Sequence, residues 1–325
     1  MTENAGLSSE LTAWVGDRGY SRTERVSGGR NNRIYKVSGT AATAALKVYY
    51  RGADDRRDRF AAEKAFYELA AERGAASPRL LDADEELGVS LLTWIEGGPI
   101  ALADAEGVGA AAEFLAGINE PSPAQRAIRS EASEACFSVT EHCALLERRL
   151  TRITDASDSL PALQDFLGST LIPFAAVVRQ RLETSGGADF ATTGWRRILS
   201  PGDFGLHNAL RDRGGRTVFF DFEYSGWDDP VKTVADVFLQ PEKPVDWKLL
   251  PNFCAQLESW SGLEERVRVW LPFFAAKWAV ILLGPVSKDA AQRRRFAGEP
   301  EDELLIDRQI GKAQNVIGRV NEFLS

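Results

Sequence analysis

Thirty residues, Ser200 to Asp229, constrain this chain more than any other stretch: SPGDFGLHNALRDRGGRTVFFDFEYSGWDD. Asp203 is followed five residues later by Asn208, then by a turn signal, Arg213-Gly214-Gly215-Arg216, an apolar strand-like run from Thr217 to Phe220, and Asp221 at its end. Two short strands joined by a Gly-Gly turn bring Asn208, just before the first strand, close to Asp221, just after the second. An amide oxygen and a carboxylate form an all-oxygen ligand set, suited to a hard cation such as Mg2+ that keeps waters for phosphate oxygens. Asp203 stands one loop away, outside that set, where a base or orienting group for an acceptor hydroxyl belongs.

The pattern G-D-x-x-x-x-N followed by an apolar residue and D-F-E resembles the catalytic signature of the aminoglycoside phosphotransferase and choline kinase family. These are small-molecule kinases built on a protein-kinase-like fold. The resemblance implies an α+β, bilobal architecture: a β-rich N-terminal nucleotide-binding lobe over residues 1–96, and a mostly helical C-terminal lobe over 97–325 with the catalytic hairpin and acceptor site. It implies that Asp203 is the catalytic aspartate, that Asn208 and Asp221 hold Mg2+, and that ATP is the phosphate donor, with GTP fitting the same pattern. Asp236, fifteen residues past Asp221, resembles a family aspartate that braces the catalytic loop.

The chain upstream supplies the order such a fold needs. Ser8 to Tyr20 reads as a short amphipathic helix, and Thr23 to Tyr50 as three strands. The turn Ser27-Gly28-Gly29-Arg30-Asn31 is rich in residues that tolerate positive φ, and alone fits an ordinary hairpin as well as a phosphate cradle. In Ala44-Ala45-Leu46-Lys47-Val48-Tyr49 the lysine lies on the opposite strand face from Leu46 and Val48, so it can point to a cleft while they fill a core. Glu63 sits in the middle of a strong helical pattern, Ala53 to Arg73; taken singly it reads as a surface charge. By the resemblance, Lys47 touches the nucleotide phosphates, Glu63 holds Lys47, Ser27 to Asn31 covers the phosphates, and the connection through Trp94, Ile95 and Glu96 receives the base.

Two further strands, Arg79 to Ala83 and Val89 to Ile95, precede the breaker cluster Glu96-Gly97-Gly98-Pro99, read as the lobe boundary. Beyond it, Ala101 to Ile118, Ser130 to Ile153 and Leu160 to Leu182 read as helices, and Asp229-Pro230 as cap and first turn of another. Trp260, Trp270, Phe273, Phe274 and Trp278 form an aromatic stripe, read first as helix-bundle core and alternatively as an acceptor pocket. Arg293-Arg294-Arg295 reads as a solvated loop, alternatively as a grip for an anionic acceptor.

Two departures from the family pattern stand out. Pro201 occupies the place, two residues before Asp203, where many relatives have histidine; His207 is not its replacement by position. Glu223 completes Asp-Phe-Glu where protein kinases have glycine, and a carboxylate there could aid a second Mg2+ or meet a cationic acceptor.

Composition sets the outer limits. A formal charge of -8 over 325 residues argues against a nucleic-acid partner, which leaves a basic footprint. Cys136, Cys143 and Cys254 are scattered, unlike zinc or disulfide frameworks, and fit a reducing cytoplasm. Uninterrupted apolar runs such as Trp278 to Leu283 are too short to span a bilayer, and the N-terminus lacks the order of a signal peptide. The expected function is ATP- and Mg2+-dependent phosphate transfer to a small-molecule hydroxyl: aminoglycoside, amino alcohol or sugar-like. The alternatives are a catalytically silent nucleotide-binding relative and nucleotidyl transfer on the same fold.

Overall fold

Period-two alternation in the first hundred residues produces a five-stranded antiparallel sheet in the computed structural model, which describes residues 6–26, 32–40, 42–51, 57–184, 197–257, 260, 262–286 and 304–325. The strands are β1 (Tyr20–Val26), β2 (Arg33–Gly39), β3 (Thr43–Val48), β4 (Leu80–Asp84) and β5 (Val89–Thr93), in spatial order β1-β2-β3-β5-β4. Tyr35, Val37, Ala44, Leu46, Val89 and Leu91, each two residues from its partner on the same strand, bury one face against Trp14 and Val15 of helix α1 (Ser9–Gly16). The other face, which carries Ala45 and Lys47, meets helix α2 (Arg59–Glu72). Asp58 starts that helix by accepting from the Ala61 amide, the N-cap geometry that satisfies an orphan donor. Phe66, Tyr67 and Leu69 then carry α2 into the larger, mostly helical core.

After β5 the chain forms β6 (Gly97–Pro99), then helices α3 (Ala105–Ile118), α4 (Pro123–Ala127), α5 (Val139–Asp155), α6 (Pro161–Phe166) and α7 (Ile172–Thr184), the last two joined by a π-helical turn. The strands β7 (Ile198–Ser200), β8 (Ala209–Asp212), β9 (Thr217–Phe219) and β10 (Gly226–Asp228) follow, and the chain ends in α8 (Pro230–Leu239), α9 (Leu250–Ala255), α10 (Leu263–Leu283) and α11 (Leu305–Leu324). A sheet-rich N-terminal region thus leads into a helical C-terminal part, as the sequence pattern indicates.

Three readings change, and one pair of strands is added. Gly97 to Pro99 is not only a break: it is a strand, pairing with β8 so that the expected two-stranded hairpin becomes a three-stranded sheet, β6-β8-β9. Gly97 is required there, because a Cβ would lie 2.2 Å from the Arg211 carbonyl oxygen. The strands β7 and β10, three residues each, pair antiparallel and are too short to show a period. Helix α5 begins at Val139 rather than Ser130, since Ser138 caps it and the preceding residues are tied to β10 instead: the Trp227 and Ala132 amides donate to the Ser130 and Trp227 carbonyls. Finally, Pro161–Thr184 and Leu263–Val286 are long and apolar enough, by length and composition, to cross a membrane. Helical continuity through isolated polar residues lengthens them beyond the uninterrupted runs, and 61% of the apolar window of the second is buried inside the protein. Ser27 to Asn31 and Arg293 to Arg295 lie outside the described residues.

Candidate active site

Strand alternation delivers Lys47 to the sheet face opposite Leu46, where it is 4% exposed. Its Nζ lies 2.6 Å from Glu63 Oε2 and 2.5 Å from Asp221 Oδ1, with Glu223 Oε2 at 3.9 Å. Burial alone would lower the lysine, but Asp221, Glu63 and Glu223 outweigh it and hold the ammonium well above its ordinary value. It is therefore a fixed cation between the sheet and the segment that follows β9.

Glu63 is the hub of this contact. It is fully buried, and burial pushes its carboxyl up while Lys47 opposes that shift. Its Oε2 also accepts from the Tyr49 hydroxyl at 2.7 Å, and its Oε1 from the Phe222 amide at 2.9 Å. One helix residue thus joins β3 to the Asp221-Phe222 backbone. Phe222 anchors that backbone among Phe66, Tyr67 and Phe114, with ring centroids 4.7, 5.0 and 5.8 Å away. Asp221 itself adopts a left-handed φ of 67°, uncommon for a residue with a side chain, and its carboxylate remains 39% exposed.

The loop between β7 and β8 carries Asp203, whose side chain is 44% exposed. Two contacts fold the loop: the Asn208 amide nitrogen donates to the Asp203 carbonyl at 2.9 Å, and His207 Nε2 lies 3.2 Å from Asp203 Oδ1. That second approach lacks hydrogen-bond alignment. Since its nitrogen is engaged, Asn208 has its amide oxygen available for a cation. The Phe220 amide donates to the Asn208 carbonyl at 3.1 Å, so Asn208 is paired with the residue just before Asp221. Among the described residues no group of three or more His, Cys, Asp or Glu is placed to hold a metal. The donors fit a cation that takes part of its shell from water and phosphate, as Mg2+ does.

Glu223 is buried behind this site. Its Oε1 lies 2.7 Å from Arg59 Nη1, its Oε2 accepts from the Asn32 amide, and Arg59 also donates to the Tyr224 hydroxyl at 2.6 Å. Asp236 is tied to Lys232 at 3.1 Å and to the Trp278 indole at 2.6 Å, within the helical part. Trp94 and Ile95 lie half-buried between β5 and β6, with Lys36 Nζ 4.6 Å above the Trp94 ring. Glu96 is exposed, and its carbonyl accepts from the Arg213 amide. Trp270, Phe273 and Phe274 pack around His142 as core.

Residues 22–268 match the model of the phosphotransferase enzyme family. The chain belongs to that family. Its fold is shared with choline kinase LicA from Streptococcus pneumoniae, at 18% identity, 95% of this chain, 98% of that one and a TM-score of 0.59. Choline kinase from Cryptosporidium parvum Iowa II superposes at 0.60, with 11% identity and coverage of 98% and 99%. Aminoglycoside phosphotransferase APH(2'')-Ib, in an ADP-bound structure, superposes at 0.61, with 12% identity and coverage of 97% and 99%. No curated protein sequence matches it.

Within this phosphotransferase fold, Lys47, Glu63 and Asp221 form one cluster, and Asp203 and Asn208 one loop joined to it through Phe220. Sequence reading passed over Tyr49, Arg59, Asn32 and Tyr67. Tyr49 had a signal, since it lies two residues from Lys47 and shares its strand face. Burial and the Glu63 carboxylate hold its phenol well above its ordinary value, so it stays a donor. Arg59 gave no comparable signal, because its partner is 164 residues away.

Proposed function

We propose that this chain is an ATP- and Mg2+-dependent phosphotransferase that moves the γ-phosphate to a hydroxyl of a small molecule. The observation that carries the reading is the Lys47 ammonium held between buried Glu63 and exposed Asp221. A cation fixed from behind by one carboxylate, with a second carboxylate open to the cleft, is suited to a polyphosphate and its counter-ion.

Lys47 would bear the negative charge of the α- and β-phosphates, and Glu63 would keep its ammonium in place as Asp221 turns to a metal. Asn208 and Asp221 would hold Mg2+, which when bound supplies charge neutralisation on the phosphate oxygens. Asp203, the exposed residue of a largely buried loop, would orient the acceptor hydroxyl and take its proton as the acceptor oxygen bonds to the γ-phosphorus. The bond from that phosphorus to the β,γ-bridging oxygen breaks, and ADP leaves. Ser27 to Asn31 would cover the phosphates, and Trp94 to Glu96 would receive the base. Three buried free thiols support a reducing cytoplasm, and the acidic chain suits a small-molecule acceptor with neither nucleic acid nor membrane as partner.

The test is ADP formation from Mg-ATP with a pooled metabolite extract, followed by mass spectrometry of the phosphorylated product. Turnover that survives both Asp203→Asn and Asp221→Ala would remove the assigned roles, and pyrophosphate in place of ADP would change the reaction class.

A further inference from the structure

Among the described residues, the candidate site brings together four buried charges, two of each sign: Glu63, Glu223, Lys47 and Arg59, none more than 6% exposed. Charges taken out of water are costly unless they are paired. Lys47 Nζ lies 2.6 Å from Glu63 Oε2, and Arg59 Nη1 lies 2.7 Å from Glu223 Oε1. Asp221, the fifth charge, is 39% exposed on the open side of the cluster, where water can meet it.

The opposite pairing is close at hand. Glu223 Oε2 is 3.9 Å from Lys47 Nζ, beyond hydrogen-bond length, and a shift of the ammonium by about 1 Å would close the gap. Its charge is already near enough to help hold the lysine above its ordinary value. Such a shift would draw Lys47 toward a second buried carboxylate and away from the open side.

Helix α2 opposes it. Arg59 is the first residue of that helix, and Arg59 and Glu63, four residues apart, share one helix face. That face offers a base to Glu223 and an acid to Lys47. Arg59 is itself fixed, since Nη1 also donates to the Tyr224 hydroxyl at 2.6 Å and the guanidinium lies 4.8 Å from the Tyr224 ring centroid. The other Glu223 oxygen accepts from the Asn32 amide, whose own oxygen accepts from the Tyr50 backbone amide at 3.0 Å. Asn32 supplies a hydrogen bond but no charge, so Arg59 is the group that neutralises Glu223.

We propose that Arg59 is a positioning residue that acts on Lys47 through Glu223: by occupying Glu223 it keeps the ammonium on Glu63 and turned to the open side beside Asp221. This rests on the phosphotransferase reading for what Lys47 grips, the phosphates of a nucleotide. Without Arg59, two buried carboxylates share one buried ammonium, and Lys47 is drawn back between them. A lysine at position 59 keeps the charges balanced, and so does removal of both members of the Arg59–Glu223 pair.

The experiment compares wild type, Arg59→Met, Arg59→Lys and the double variant Arg59→Met/Glu223→Gln. Calorimetric titration with Mg2+ and a non-hydrolysable ATP analogue gives the affinity, and crystal structures of the nucleotide-free proteins give the position of Lys47. In Arg59→Met the affinity is expected to fall about ten- to a hundredfold, with Lys47 Nζ within about 3.2 Å of a Glu223 oxygen. The double variant and Arg59→Lys are expected to bind closer to wild type than to Arg59→Met. A salt bridge that served the fold alone would change urea midpoints and leave both the affinity and the position of Lys47 where they are. The proposal is overturned if Arg59→Met binds as wild type does, if its Lys47 stays on Glu63 with Glu223 no nearer, or if the double variant binds as weakly as the single. Should Arg59→Met not fold, the two charge-balanced proteins decide: loss of binding in either one overturns the proposal. A wild type that binds no nucleotide, with Lys47 still moving to Glu223 in Arg59→Met, would keep the positioning role and remove the phosphotransferase reading.

Discussion

Lys47 Nζ and Asp221 Oδ1 are 2.5 Å apart, across 174 residues of sequence. The contact joins a side chain that is 5% exposed to one that is 39% exposed, so the two partners of Lys47 are unequal. Asp221 can exchange the lysine for water, whereas Glu63, fully buried, has no such alternative. Lys47→Met therefore strands a buried carboxylate and is expected to cost about 3–5 kcal/mol. The double variant Lys47→Met/Glu63→Gln recovers much of that stability without recovering phosphate transfer. Urea titrations of the four proteins of the cycle check this; a Lys47→Met chain as stable as wild type would show that the pair is not coupled.

The proposed role of Asp203 can be tested apart from folding, since its side chain is 44% exposed. Asp203→Asn is expected to lower kcat by about 10²–10⁴-fold and to shift stability by no more than about 0.5 kcal/mol. Calorimetric binding of Mg-ATP stays at the wild-type level. Equal losses of binding and turnover would place Asp203 in the nucleotide site instead.

The parts of the site that could be read in the sequence are those carried by short-range geometry. Strand alternation put Lys47 opposite Leu46, and the Gly-Gly turn put Asn208 beside Asp221, because both depend on neighbours a few residues apart. The third strand of the hairpin sheet could not be read. Gly97 and Gly98 look like a break, and what makes them a strand is the β8 edge more than a hundred residues later. Arg59 and Glu223 fail for the same reason: each looks like an ordinary charge until the fold buries both. In sequence the Glu223 carboxylate could aid a second Mg2+ or meet a cationic acceptor; in the fold it is buried against Arg59 and Asn32. Lys277, in the middle of α10 and 2% exposed, gave even less signal, since a lysine within an apolar helix ordinarily faces solvent.

Gly202 and Gly215 separate the two demands that glycine can meet. Both have positive φ, 87° and 84°, but only Gly202 is crowded, with the Tyr224 carbonyl oxygen 2.4 Å from where a Cβ would sit. Gly215→Ala meets no atom within 4 Å and is expected to cost about 1–2 kcal/mol from backbone conformation alone. Gly202→Ala adds a backbone collision next to Asp203, so it should lose more stability and most of its turnover. Denaturant midpoints and kcat for the two variants test this, and equal effects would remove the steric argument.

Lys277 makes a prediction about pH whose sign follows from its lowered affinity for protons. Its ordinary value is 10.5, and burial and Lys232 bring it down in the fold. Below the folded-state value the chain must carry a charge that the unfolded chain carries more easily, so the penalty is fully present there. As pH rises through the folded-state value toward 10.5, Lys277 loses its proton in the fold and the penalty fades. The stability advantage of Lys277→Met should therefore be largest near neutral pH and shrink in alkali. Urea midpoints of wild type and variant at about pH 7 and about pH 10 measure the difference. An advantage that stays constant would come from packing of the methionine, and one that grows with pH would mean that the ammonium is stabilised where it lies.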